Sequence, residues 1–271
     1  PGYHGFGVQI PKDLYEFPDF PLPEAVPQYT PGPDFQKYME DYCDHSPVLE
    51  QELRKKGKDD LLEVLKSTNM DSGAIAYIRQ HKALGLGHAV WCARRLIADE
   101  PFAVILPDDV IAGEKPCLQQ MVEAFAETGG NMVAAMEVAP EKTSSYGVLD
   151  VKEDMGSVVS VNGMVEKPKA EDAPSNLAVI GRYILSPSVL RNLNQLKQGA
   201  GGEIQLTDAI AADISSDVPV YGYRFEGERF DCGSKSGFLQ ATVAFALERE
   251  ELRDDLMNYI TTITQDRRAA E

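Results

Sequence analysis

Hydrophobic positions along the chain follow two periodicities, which together predict alternating helices and strands. Three- and four-residue spacings among Val48, Leu49, Leu53, Leu61, Leu62 and Leu65 predict a helix over 47–66. The same spacing predicts a helix over 88–97 (HAVWCARRLI), with Ala89, Val90, Ala93, Leu96 and Ile97 on one stripe. It predicts another over 117–127, where Leu118, Met121, Val122 and Phe125 share a face, and a long, heavily charged one over 236–263. Strands are predicted at 74–79 (AIAYIR), 102–106 (FAVIL), 132–138 and 177–185 (LAVIGRYIL), with a smaller, polar-alternating one at 218–225. FAVIL is uninterruptedly apolar, the signature of a strand buried on both faces.

Strands alternating with helices imply an α/β fold with a mostly parallel sheet flanked by helices on both sides. The first 35 residues stand apart. Prolines at 1, 11, 18, 21, 23, 27, 31 and 33 predict an irregular segment there. From 36 to 271 the chain reads as a single domain ending in helices, with no internal repeat, low-complexity run or linker.

A length of 271 residues supports one large α/β core, and 43% hydrophobic with 25% charged residues excludes wholesale disorder. Charge narrows the partners. With 26 basic against 43 acidic residues the net charge is −17, which argues against nucleic acid and against an anionic membrane surface. No apolar stretch approaches bilayer length and residues 1–30 lack the pattern of a signal peptide, so a cytoplasmic location is expected. Cys43, Cys92, Cys117 and Cys232 are widely spaced without zinc-ligand patterning and read as reduced thiols.

Four stretches carry candidate chemistry. Asp108 and Asp109 follow the FAVIL strand, where an open α/β sheet places its ligands, and a carboxylate there can hold Mg²⁺. In RQHKALGLGHAV (79–90), Gly85 and Gly87 open a helix whose free N–H groups favour an anion, and Gln80 can read a base edge. His88 in that turn reads as structural. In MVEKPKAEDAPSN (164–176), Glu166 can accept from sugar hydroxyls while Lys167 and Lys169 supply point charges for phosphate. Last, Glu203 in GGEIQLTDAI precedes a helix, and Asp231 in FDCGSK can join Asp108 on one metal ion. Each of the four also has a plain reading as turn, cap or solvated loop. No GxSxG, HExxH or Walker A pattern occurs.

Taken in order, GLGHAV, ILPDD, SSYGVLD, VEKPK with APSNLAVIGRYIL, GGEIQLTDAI and FDCG resemble the bacterial UTP–glucose-1-phosphate uridylyltransferases (UDP-glucose pyrophosphorylases) of the nucleotidyltransferase family, over roughly residues 36–265. The resemblance implies a nucleotide-diphospho-sugar transferase fold, a Rossmann-like mixed α/β domain. It implies Mg²⁺-assisted conversion of UTP and glucose 1-phosphate to UDP-glucose and pyrophosphate. By motif position, Gln80 and Gly85 would contact uracil, Asp108 and Asp231 would hold Mg²⁺, Gly147 would border the sugar, and Gly181 would join the substrate-binding set. Glu166 and Glu203 would face the hexose, Lys167 would hold the sugar phosphate, and Lys169 would add a phosphate contact. A dimer or tetramer is also implied.

The beginning of the chain departs from the family. A strand, a GxGTR loop and a PKE lysine are expected there; the chain reads PGYHGFGVQIPKDLYEF, with no arginine before Arg54. Lys12 of IPKDL then stands for the PKE lysine, and Gly5 and Gly7 for the loop. That departure leaves open a non-catalytic regulatory paralogue that binds nucleotide sugar, and because Gln80 alone encodes little of the base choice, an enzyme using dTTP or CTP also stays open.

Overall fold

The computed structural model describes residues 47–68, 74–195 and 202–270, and the chain divides into two units at 77/78. The expected irregular segment 1–35, with Lys12, Gly5 and Gly7, lies outside the described residues, as does Cys43.

In the first unit the helix expected over 47–66 is two helices, α1 (Pro47–Lys55) and α2 (Asp59–Thr68). The break is at Gly57, whose φ of 63° is a left-handed conformation that favours glycine and ends α1. Leu62 is the buried position of α2, while Leu61 faces solvent. Residues 75–79, expected as a strand, have no regular secondary structure. Ile75, Tyr77 and Ile78 are exposed, and apolar composition makes a strand only where a pleated, half-buried surface rewards it.

The second unit opens with α3 (Leu86–Cys92), continued by a 3₁₀ turn over Ala93–Arg95, in place of the single helix expected over 88–97. There follow β1 (Phe102–Ile105), β2 (Asp109–Ala112), α4 (Cys117–Thr128), β3 (Asn131–Glu137), β4 (Gly147–Asp154), β5 (Val158–Glu166) and β6 (Leu177–Leu185). The chain closes with α5 (Pro187–Gln195), α6 (Leu206–Ile214), β7 (Val220–Arg224), β8 (Glu228–Asp231), α7 (Lys235–Glu248) and α8 (Glu250–Ala270). The helix expected over 236–263 is thus divided at Arg249, whose extended backbone (φ −93°, ψ 118°) caps α7.

Six strands form one sheet in the order β1-β6-β3-β7-β5-β4, and β2 pairs with β8 in a separate two-stranded ribbon. The α/β architecture with a mixed, helix-flanked sheet is the expected one, but the expected predominance of parallel pairing is not found among the described strands. Among the described strands its parallel pairing is β3 with β7; the remaining pairings are antiparallel, because the β4–β5 hairpin and the central β6 run against their neighbours.

The core explains the apolar runs. On β3, Val133 and Ala135 point to one face with Leu177, Val179, Tyr183 and Leu185 of β6, where α5 and α6 bring Val189, Leu193, Leu206 and Ile210. Met132 and Ala134 point to the other face with Ile180 and Ile184, covered by Cys117 and Met121 of α4. A strand packed on both faces needs apolar residues at consecutive positions, and β3 and β6 have them. β1 is different. Ala103 and Ile105 are exposed while Phe102 and Val104 are half-buried, so FAVIL is an alternating strand and not the doubly buried one expected. On α4, similarly, Val122 is exposed and the inward face is Cys117, Gln120 and Met121.

Burial also sets thiol chemistry. Cys92, Cys117 and Cys232 are free, and burial pushes the Cys117 thiol up to about 11. Thiolate is the reactive form. Native protein treated with iodoacetamide and mapped by peptide mass is therefore expected to show Cys117 unmodified. Labelling of Cys117 as fast as Cys232 would contradict this.

Candidate active site

The end of the sheet near β6 and the ribbon brings the sequence motifs together. A cavity of about 190 Å³ is lined by Leu106, Asp109, Tyr146, Gly147, Glu166 and Gly181, with Leu86 and the first residues of α6 closing it. Of the predicted site residues, Gly147, Glu166 and Gly181 line this space.

Gly147 begins β4, and a side-chain carbon there would lie 2.9 Å from Thr207 Cγ2 and 3.2 Å from Glu166 Oε2. The missing side chain is what leaves the cavity open. Glu166 ends β5, where Oε2 accepts from Thr207 Oγ1 at 3.0 Å, leaving Oε1 for a further donor. Lys167 follows with φ 47°, held in that uncommon conformation by its N–H donating to Tyr146 O at 2.9 Å. Its ammonium stands 3.7 Å from Glu166 Oε1 and is more than half exposed, so it covers the cavity rim and not its floor. Lys169, exposed, precedes the 3₁₀ turn Ala170–Asp172 and is not among the lining residues.

The β2–β8 ribbon carries the second group. Asp109 pairs with Asp231 in its register, so Asp108, one residue before β2, emerges beside the end of β8. A side-chain carbon on Gly233 would lie 3.1 Å from Asp108 Oδ2 and 3.2 Å from Asp231 Oδ1, so the two carboxylates converge on one bare stretch of backbone. Among the described residues no cluster of three or more His, Cys, Asp or Glu side chains could enclose a metal. Two hard carboxylates do suit Mg²⁺, which keeps water and substrate phosphate in its remaining positions.

Neighbouring Asp109 has a different task. It is 6% exposed and ion-paired with Arg229, whose Nε donates to Oδ1 at 2.5 Å; Oδ2 accepts the Gly181 N–H at 2.7 Å. Arg229 also donates to Tyr146 Oη at 3.1 Å. Burial opposes the charge of Arg229, and the facing Asp109 and Tyr146 outweigh it, so the guanidinium is held above its usual pKa. Arg182 adds bonds to Leu106 O and Asp109 O at 2.9 and 2.6 Å. Asp109 thereby joins the ribbon to the sheet, and the carboxylate left free is Asp108. The sequence reading had not found Arg229, Tyr146, Thr207 or Arg182. All four lie within or beside the motif blocks: Tyr146 in SSYGVLD, Arg182 in APSNLAVIGRYIL, Thr207 in GGEIQLTDAI and Arg229 just before FDCG.

The third group lies at the start of α3. Gly85, with φ 91°, fits against Glu203, whose Cβ a side-chain carbon on Gly85 would meet at 2.8 Å. Gln80 Nε2 donates to Gly85 O at 3.0 Å. Gly87 N–H, expected to be open to an anion, is instead donated to Ile204 O at 3.0 Å. The short helix is thus tied to the chain before α6. Glu203 itself is exposed and accepts from Gln205 Nε2 at 3.2 Å; Gln205 lines the cavity and Glu203 does not. The arrangement offers a carboxylate acceptor and a rim cation at one cavity, with the convergent Asp108 and Asp231 carboxylates on the neighbouring ribbon, which suits a ligand bearing hydroxyls and phosphate.

Comparison with known proteins agrees with the fold. Residues 45–248 match the family model described as nucleotidyl transferase. The UTP–glucose-1-phosphate uridylyltransferase of Komagataeibacter xylinus is 50% identical over 195 residues, covering 72% of this chain and 68% of that protein. The protein of the same name from Bacillus subtilis (strain 168) is 45% identical over 226 residues, covering 83% and 76%. Among solved structures, a UDP-glucose pyrophosphorylase complexed with UDP-glucose superposes with a TM-score of 0.67 at 38% identity, covering 79% of this chain and 78% of its own. A UTP-bound UGPase from Acinetobacter baumannii reaches 0.72 at 34% identity, covering 82% and 78%.

Proposed function

This chain belongs to the nucleotidyl transferase family, and on that premise we propose that it transfers the uridylyl group of UTP to glucose 1-phosphate. The products are UDP-glucose and pyrophosphate. The observation that carries the reading is the cavity between Gly147, Glu166 and Gly181, with Lys167 at its rim and Asp109 of the Asp108-bearing ribbon in its wall.

An oxygen of the sugar phosphate attacks the α-phosphorus of UTP. The new oxygen–phosphorus bond forms as the bond to the bridging oxygen of the β-phosphate breaks in line, and pyrophosphate leaves with the electron pair. The nucleophile is already an anion at neutral pH, so no general base is needed. The work of the site is to align two anions and offset their repulsion. Lys167 supplies a positive charge beside the sugar phosphate, and Lys169 a weaker, more distant one. Glu166 accepts a hexose hydroxyl through Oε1, its other oxygen being held by Thr207. Glu203 assists from the Gly85 side, and Gln80 with Gly85 faces the base. Lys12 completes the proposed set. Asp108 and Asp231 would hold Mg²⁺, which when bound supplies positive charge against the phosphate oxygens.

The decisive experiment is pyrophosphate release with glucose 1-phosphate and each nucleoside triphosphate, with and without Mg²⁺. Release with UTP is expected; no release with any triphosphate would favour the regulatory alternative. Within the same assay, Gly147→Ala places a methyl against Thr207 and Glu166 and is expected to raise KM for glucose 1-phosphate about tenfold. An equal rise in KM for UTP would argue against Gly147 bordering the sugar.

We further propose a homo-oligomer. Phe238, Leu239, Leu252, Met257 and Tyr259 on α7 and α8 are exposed, which supports it, and a monomer mass by light scattering would refute it. No helix among the described residues is long and apolar enough to cross a membrane, and we propose a cytoplasmic location, to be checked by cell fractionation.

A further inference from the structure

Gln80 is held the same way round by two acceptors, and one of them is His88. Its Nε2 lies 3.0 Å from Gly85 O and 2.9 Å from His88 Nδ1. A carbonyl oxygen can only accept, so the atom facing Gly85 O must be the amide nitrogen. The second hydrogen of that nitrogen goes to His88 Nδ1, which therefore carries a lone pair, and the ring proton sits on Nε2. Both donors of the amide are then used inside the protein. Oε1 takes no bond from a described residue and is the amide atom left for a ligand.

The His88 ring is itself well supported. It stacks on Trp91 with centroids 5.8 Å apart and planes 26° apart. Trp91 lies under the Arg94 guanidinium, 3.4 Å from the ring centroid, and its indole N–H donates to Asn194 Oδ1 at 3.2 Å. Cys92 Sγ stands 3.9 Å from the ring nitrogens on the same helix.

We propose that His88 is a positioning residue that sets base preference by locking the Gln80 amide with its oxygen outward. The inference rests on the reading that Gln80 faces the nucleotide base. With ring N3 toward Gln80, a pyrimidine bearing an N3–H, such as uracil or thymine, donates to Oε1. Cytosine brings a lone pair to the same place, and two acceptors then face each other without a proton between them. Without the Nδ1 acceptor, one bond among the described residues, to Gly85 O, opposes rotation of the amide. The amide can then turn its nitrogen outward and accept cytosine.

The test compares kcat/KM for UTP and CTP, each with glucose 1-phosphate, in the wild type, His88→Phe and His88→Asn. Phenylalanine keeps a ring beside Trp91 but has no acceptor; asparagine Oδ1 restores an acceptor near the position of Nδ1. The UTP-to-CTP ratio is expected to fall about tenfold in His88→Phe and to stay at the wild-type value in His88→Asn. An unchanged ratio in His88→Phe, or an equal fall in both variants, would overturn the proposal. A second measurement uses no substrate. Nitrogen-15 NMR of the wild type at mildly alkaline pH is expected to show His88 protonated at Nε2, and protonation at Nδ1 would overturn the proposal by itself. Absence of turnover with UTP in the wild type would refute the parent reading, while the tautomer would still decide the His88–Gln80 contact.

Discussion

Asp108→Asn is expected to lower turnover about a thousandfold while leaving the fold intact. The carboxylate is exposed and shares the bare backbone at Gly233 with Asp231, so the amide replacement removes a charge without opening the core. Two measurements belong together. Pyrophosphate release at saturating UTP and Mg²⁺ reads the loss of turnover, and paramagnetic resonance of Mn²⁺ reads the loss of ion binding. An unchanged thermal midpoint separates this from unfolding. Near-normal turnover with normal Mn²⁺ binding would remove Asp108 from the metal position.

The largest effect on stability is expected at the neighbouring carboxylate. Arg229→Leu is expected to cost about 3–5 kcal/mol, because it leaves Asp109 buried and charged with the Gly181 N–H as its remaining side-chain partner. Apolar replacement of a whole buried pair is often nearly neutral, whereas removal of one partner is not. Asp109→Leu in the Arg229→Leu background should therefore recover most of the loss. Urea unfolding of the two single variants and the double variant measures the coupling. Additive losses would mean that the pair is not the link between ribbon and sheet.

These two adjacent aspartates show how far sequence reading reaches. ILPDD places a pair of carboxylates after a strand, and motif position assigns Asp108 to a metal but gives Asp109 no task. The separation comes from β2: its first residue, Asp109, turns inward to Arg229 and Gly181, and the residue before it stays in solvent. The helices and strands were legible to a similar degree. LAVIGRYIL was readable as β6 because a strand covered on both faces must be apolar throughout, and α4 and α5–α6 cover it. AIAYIR has comparable composition and forms no strand, since composition does not state whether a partner surface is present. Helix breaks at Gly57 and Arg249 were equally invisible to periodicity, which continues across a change of direction.

By itself the sequence determined the chemical inventory: the α/β alternation, the order of the site motifs, and the carboxylates, lysines and glycines that a sugar-phosphate nucleotidyltransferase requires. Tertiary structure alone decided how that inventory is used. It supplied the β2–β8 register by which the expected Asp108 and Asp231 meet, assigned Asp109 to Arg229, and turned the Gln80 amide against Gly85 and His88. The physical reason is common to all three. A residue's type states which bonds it can make, but burial and the partner facing it state which bonds remain free for a substrate.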